Sequence, residues 1–256
     1  MIKKNSYLVL ILYSIFLTFT VSFFSALSAI LHTSEKGMIV IQILAFSLMA
    51  IFFTRQIIKN HTSLKKLGFS LKNIDYRIFI MLGVIILVQP MMLGIDVTIS
   101  LSVLMLTVVQ MILVGYTEEL LFRGIFFLKL KDKGPVLYVL FSSLVFSLLH
   151  SASAINPETG STLVILQVVN AFLLGIVFAL TFFITKKILI VMLAHTFFNI
   201  FASISNQVSL ERNIYSVIVL SILYIVCILI LSFIRKKNNH VNSLNKSTLP
   251  GIKVNL

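Results

Sequence analysis

Apolar residues in this chain come in unbroken runs of helix length, and no other feature narrows its possible folds so far. The runs cover about 7–31, 38–54, 78–97, 99–128, 136–150, 163–184, 188–204 and 214–234. A helix needs roughly 20 apolar residues to cross a hydrocarbon core of about 30 Å. Outer-membrane strands would instead alternate apolar and polar side chains over about 10 residues, and these runs do not. Only 11% of the residues are charged and 59% are hydrophobic, whereas a soluble domain averages about 25% charged. The fold class expected is all-α, a polytopic transmembrane helical bundle of about eight spans. Residues 1–240 read as one integral membrane domain and 241–256 as a polar cytoplasmic tail.

The formal net charge of +13 would invite a nucleic-acid partner in a soluble protein, but here the charges sit between the apolar runs and follow topology. One side of the alternating loops receives Lys3 and Lys4, the basic residues of segment 55–77, Lys129, Lys131 and Lys133, Lys186 and Lys187, then Arg235, Lys236 and Lys237. The other receives Lys36 and Arg212, giving 16 against 2 before the tail. The positive-inside rule then places both termini in the cytoplasm, with no nucleic-acid partner. Segment 55–77 is expected either as a topology-setting loop or as a strip on the inner leaflet against acidic head groups. Segment 151–162, which contains Asn156-Pro157-Glu158-Thr159-Gly160, reads as an external turn. The first run follows Lys3 and Lys4 as a signal peptide would, but it lacks a small-residue cleavage site and is expected as an uncleaved span. The single cysteine, Cys227, forms no internal disulfide and falls inside the last run.

The fourth run is both the longest and the charged one. Some 30 residues give about 45 Å of helix, so it must tilt, break or leave the membrane. Within it stand Glu118, Glu119 and Arg123. A charge at the centre of a spanning helix costs about 2.5–3.5 kcal/mol on the insertion scale, so all three must face protein or trapped water. Glu119 and Arg123 are four residues apart and share a helical face, which lets them neutralise one another. Glu118 is left as the uncompensated carboxylate and as a candidate general base. The bland reading is a buried ion cluster that fixes helix packing, and it suits Glu119 and Arg123 well as supporting residues.

His150 ends the fifth run, and His195 and Asn199 share one stripe of the seventh. Each has a structural reading, as a helix-end cap or as interhelical hydrogen-bonding groups. His32 and His61 fall in spacers and His240 in the tail. Counted from the cytoplasmic ends, Glu118 lies roughly 15–18 Å deep, Asn199 similarly, His195 at about 11 Å and His150 at about 20 Å. Tilt and a cavity bring these four together. Such a set permits hydrolysis, with the histidines ligating a divalent metal or orienting water, Glu118 taking the water proton and Asn199 donating to an oxyanion. No serine or cysteine nucleophile stands at a diagnostic spacing, and the H-E-x-x-H zinc pattern is absent. Residue chemistry alone accepts a proton-coupled transporter nearly as readily.

The pattern resembles the CPBP family of intramembrane proteases, which includes CAAX prenyl endopeptidases of the Rce1 type and bacterial Abi-like proteins. The E-E-x-x-x-R motif falls on Glu118, Glu119 and Arg123, the F-x-x-x-H motif on Phe146 and His150, and the H-x-x-x-N motif on His195 and Asn199. Gly175 answers to the glycine of the intervening helix, and the match runs over about 111–203. The resemblance implies a CAAX-type intramembrane metalloendopeptidase. In it Glu118 and His150 activate water, His195 and Asn199 stabilise the intermediate, and Glu119 and Arg123 hold the site. It also implies a divalent metal, expected as zinc, with His150, His195 and Glu118 as candidate ligands. Thr185–Val191 departs from the Gly/Ser, Leu and Trp-Pro stretch often found before the last histidine, which bears on the entrance and on substrate choice.

A chain rich in Ile, Lys and Asn reads as bacterial, so the expected location is a bacterial plasma membrane. The expected partners are membrane lipid and a peptide or small membrane-protein substrate, such as a pheromone or bacteriocin precursor, acted on by a monomer. A non-catalytic scaffold or bacteriocin-immunity factor is the rival reading, distinguished by a function that survives Glu118→Gln.

Overall fold

A computed structural model describes residues 6–59, 64–155 and 160–248, with side chains described for these except 155 and 237–248. Lys3, Lys4, His61, Asn156 to Thr159 of the expected external turn and residues 249–256 of the expected tail lie outside the described residues. The helices are α1 (Ser6–Ile30), α2 (Glu35–Lys59), α3 (Tyr76–Leu93), α4 (Leu101–Glu119), α5 (Phe126–Leu130), α6 (Pro135–Leu149), α7 (Ser161–Thr185), α8 (Ile188–Ser203) and α9 (Leu210–Thr248). Among the described residues, seven helical stretches are long and apolar enough to cross a membrane, and α8 is a shorter apolar helix. This is an integral membrane protein with an all-α bundle of about eight spans.

Several expected boundaries move, each for a local reason. The third run was read to residue 97, but α3 stops at Leu93 because Gly94 turns the chain with φ +77° and returns its N–H to the Pro90 carbonyl. Ile95 then pairs with Ser205 in an isolated bridge. The helix of the last run, read over 214–234, extends over Leu210–Thr248. The fourth run resolves its excess length by breaking. It runs from Leu101 to Lys133 as α4, a π-helical segment over Leu120–Ile125, α5 and a final tight turn. A π-segment inserts an extra residue per turn, which makes it rare and a frequent mark of a functional site.

Loop contacts sort the helix ends onto two faces. On one, Gly68, at φ +77°, packs its backbone against the Lys186 carbonyl, and the Lys186 ammonium sits over Phe127. On the other, the Asp96 N–H donates to the Ile204 carbonyl, Asn206 to Leu93 and Arg212 to Met92. The first face carries the dense basic loops. Segment 55–77 is more than a strip on a leaflet: Leu64–Leu67 forms a single turn whose Leu67 is buried, and Leu67 lies beside Gly124 of the π-segment.

The core lies where α2, α4, α6, α7 and α8 converge, and close approach there depends on absent side chains. A Cβ on Gly115 of α4 would strike the Thr196 hydroxyl and stand 3.0 Å from the Met192 carbonyl of α8. One on Gly175 of α7 would lie 3.2 Å from Ser143 and 3.3 Å from Phe146 of α6. These contacts bring α6, α7 and α8 against the charged stretch of α4.

Candidate active site

The last turn of α4 delivers Glu118 and Glu119, and the π-segment that follows delivers Arg123, with every residue of that segment buried. Glu119 and Arg123 are fully buried and pair at 3.0 Å. The spacing anticipated this pair but not its third member. His195 Nδ1 donates to the same Glu119 oxygen at 2.7 Å, joining α8 to α4 across 76 positions of sequence. Glu119 therefore supports the site by orienting a histidine as well as by neutralising Arg123.

The other ring nitrogen of His195 faces Glu118, with Nε2 3.7 Å from its carboxylate. The Glu118 side chain is 17% exposed, against none for Glu119, so the carboxylate without a guanidinium is also the one open to a cavity. That cavity, about 200 Å³, is walled by Leu17 and Val21 of α1, Phe46 of α2, Phe122, and His150 with Leu149 at the end of α6. His150 Nδ1 lies 2.9 Å from the Phe146 carbonyl. A carbonyl only accepts, so this nitrogen carries the proton and the lone pair of the neutral ring is at Nε2. His150 caps its helix and lines the cavity at once, so the cap reading and the site reading of this residue are compatible.

Asn199 lies one turn along α8 from His195, and both line a second cavity of about 270 Å³ together with His150. The four candidates are thus brought to two adjoining spaces that share His150: Glu118 with His150 in one, and His150, His195 and Asn199 in the other. The Phe146 ring stands between the two imidazoles, with centroids 4.7 Å from His150 and 5.9 Å from His195. Its face also receives the Arg123 guanidinium at 4.8 Å, so the motif phenylalanine is a spacer and a cation platform.

The sequence reading missed three contributions. The Gly175 carbonyl accepts from Arg123 at 3.2 Å, Phe178 stacks beside His195 at 5.6 Å, and Gln167 of α7 lines both cavities. Phe178 and the carbonyl carry no sequence signal. Gln167 does, as an amide inside an otherwise apolar run.

The expected zinc ligands, Glu118, His150 and His195, line the two adjoining spaces. Among the described residues, no three of His, Cys, Asp and Glu are placed to hold a metal ion. His195 and His150 each hydrogen-bond through Nδ1, to Glu119 and to a backbone carbonyl, which leaves Nε2 of either ring as the atom a metal would take.

Compared with known proteins, residues 100–201 match the family model described as type II CAAX prenyl endopeptidase Rce1-like. No curated protein and no solved structure matches the chain.

Proposed function

We propose, on the match of residues 100–201 to the type II CAAX prenyl endopeptidase Rce1-like family model, that this membrane protein is a glutamate-dependent endopeptidase that hydrolyses a peptide bond within the bundle. The observation that carries the reading is the relay from Arg123 through Glu119 and His195 to Glu118, which ends at the one partly exposed carboxylate in the cluster. A purely structural ion cluster has no need to leave its last member facing a cavity.

Water in that cavity attacks the substrate carbonyl carbon as Glu118 takes its proton. His150 orients the water through its unprotonated Nε2. The oxyanion develops toward the neighbouring space, where Asn199 donates its amide hydrogen. Glu119 holds the His195 ring in place through Nδ1, as the triad carboxylate of serine proteases does for its histidine. Glu118 returns the proton to the leaving nitrogen as the C–N bond breaks.

The substrate class that suits this site is a peptide or small membrane protein. The test uses purified protein in lipid, challenged with lipidated and signal-peptide-like substrates and read by mass spectrometry. Glu118→Gln is expected to lower cleavage by roughly 10²–10⁴-fold, the usual weight of a general base, while thermal stability is held. Chelation followed by zinc return tests the expected metal: a loss of cleavage that zinc restores would require it, and an unchanged rate would exclude it. Cleavage by Glu118→Gln at the wild-type rate, or a cellular role that survives this substitution at normal abundance, would turn the reading toward a non-catalytic scaffold or immunity factor.

A further inference from the structure

The two catalytic spaces do not end at the catalytic residues. A third cavity of about 160 Å³ adjoins them and shares Gln89, Gln167 and Asn170 with the space that holds His195 and Asn199. Gln167 is common to all three. The outermost cavity also touches Leu93, Leu163, Asn213 and Ser216, which are the last turn of α3 and the first turns of α7 and α9. Those helix ends belong to the face where Asp96 meets Ile204 and Arg212 meets Met92. The cavities therefore run from that weakly charged face inward to Glu118, on the opposite side from the basic loops.

The lining has a chemistry of its own. Gln89, Gln167 and Asn170 are amides on helices long and apolar enough to span a membrane. Gln167 is exposed between the exposed apolar residues Ile165 and Val169. Neither Gln89 nor Gln167 hydrogen-bonds another described residue, whereas Asn170 is steadied by the Tyr224 hydroxyl at 3.0 Å. An amide left unpaired in hydrocarbon costs several kcal/mol, so this strip is stable only if it is wet or occupied. A primary amide also offers both a donor and an acceptor, the pair that a peptide group presents. Along α7 the strip extends from Leu163 to Leu174, about 16 Å at about 1.5 Å per residue, enough for roughly five residues of extended chain.

Building on the endopeptidase reading, we propose that these cavities form one hydrated groove that takes an extended peptide from the face opposite the basic loops, with Gln167 positioning its backbone at the threshold of Glu118. By the positive-inside rule that face is extracytoplasmic, so the substrate is a chain that has crossed, or is anchored in, the outer half of the membrane.

Thiol accessibility tests this independently of catalysis. The only native cysteine is Cys227, which is buried, so Cys227→Ser gives a silent background. Into it are placed Gln167→Cys, Asn170→Cys, the lipid-facing Ile165→Cys and the basic-loop control Lys187→Cys. Intact cells are treated with a charged, impermeant maleimide and, separately, with the same maleimide on a charged five-residue peptide. Both reagents are expected to label Gln167→Cys or Asn170→Cys from outside, at least 10-fold faster than Ile165→Cys, with Lys187→Cys labelled only after lysis. Labelling by the small reagent alone would reduce the groove to a water inlet and overturn the peptide occupant. Labelling of the amide positions only after lysis, or no faster than Ile165→Cys, would overturn the groove. If the accessibility pattern holds while Glu118→Gln still cleaves, the groove stands and the glutamate mechanism falls.

Discussion

At the scale of single residues, the buried charges form a set whose members cannot be removed one at a time without leaving another stranded. Breaking a buried pair by deleting one partner costs about 3–5 kcal/mol, because the survivor stays unpaired in a low-dielectric interior. Glu119 Oε2 and Arg123 Nε already lack partners among the described residues, so the cluster has no spare hydrogen bonds to absorb a loss. Glu119→Gln and Arg123→Met are each expected to lower the unfolding temperature in detergent sharply. The double variant should lose clearly less than the two single losses combined. Strict additivity would show that the pair is uncoupled. Glu118→Gln touches the partly exposed end of the cluster and should leave stability nearly intact, which separates the carboxylate proposed to react from its supporting neighbour.

At the scale of elements, the site exists because two pairs of helices approach closely. Gly115 and Gly175 set those approaches, α4 to α8 and α7 to α6. The Gly115 contact includes the Met192 backbone carbonyl, which cannot rotate away as a side chain can. Gly115→Val is therefore expected to destabilise by about 1–3 kcal/mol, as overpacking does. It should also reduce cleavage by more than its loss of folded protein explains, because it pushes His195 away from Glu119. Trimming Thr196→Ala should recover only part of either loss, and full recovery would show that the backbone contact is unimportant. The π-segment belongs to this scale too. Glu119 and Arg123 are legible as an i,i+4 pair, but the widened turn that follows Glu119 comes from packing against α2, α6 and α7 and has no signature in the letters.

At the scale of the whole molecule, charge asymmetry and cavity direction agree. The basic face has a cavity of its own, about 390 Å³ among Arg77, Ile184 and Phe233, which shares no residue with the spaces that reach Glu118; around it Gly68 packs on Lys186 and the Arg235 guanidinium lies 5.4 Å from the Phe183 ring. Lys186 is exposed as a residue, yet its ammonium lies 4.1 Å and 3.9 Å from the ring centroids of Phe127 and Phe183. Burial, with a smaller push from Lys131, lowers its pKa to about 8 from the ordinary 10.5. Between those values the unfolded chain holds the proton more tightly than the folded one, so stability rises with pH across that window. It is fully gained above 10.5 and lost as pH falls through about 8. The unfolding temperature should therefore climb between these pH values, and the climb should flatten in Lys186→Met, which keeps the unbranched stem. An equal climb in that variant would remove Lys186 as the cause.

Much of this architecture is determined by the sequence alone, because a lipid core penalises every unpaired polar group and every apolar run of the right length must become a helix. The runs, the alternation of basic loops and the polar residues out of place at Glu118, Glu119, Arg123, His150, His195 and Asn199 all follow from that one rule. Only the tertiary structure decided which of those residues meet. It bonded His195 to Glu119, left Glu118 facing the cavity, and divided the four candidates between two spaces joined at His150. Pairings across many turns depend on helix rotation, on where α4 widens and on how closely Gly115 and Gly175 let neighbours approach. Such quantities belong to the packed bundle, and a helical period read along one chain does not contain them.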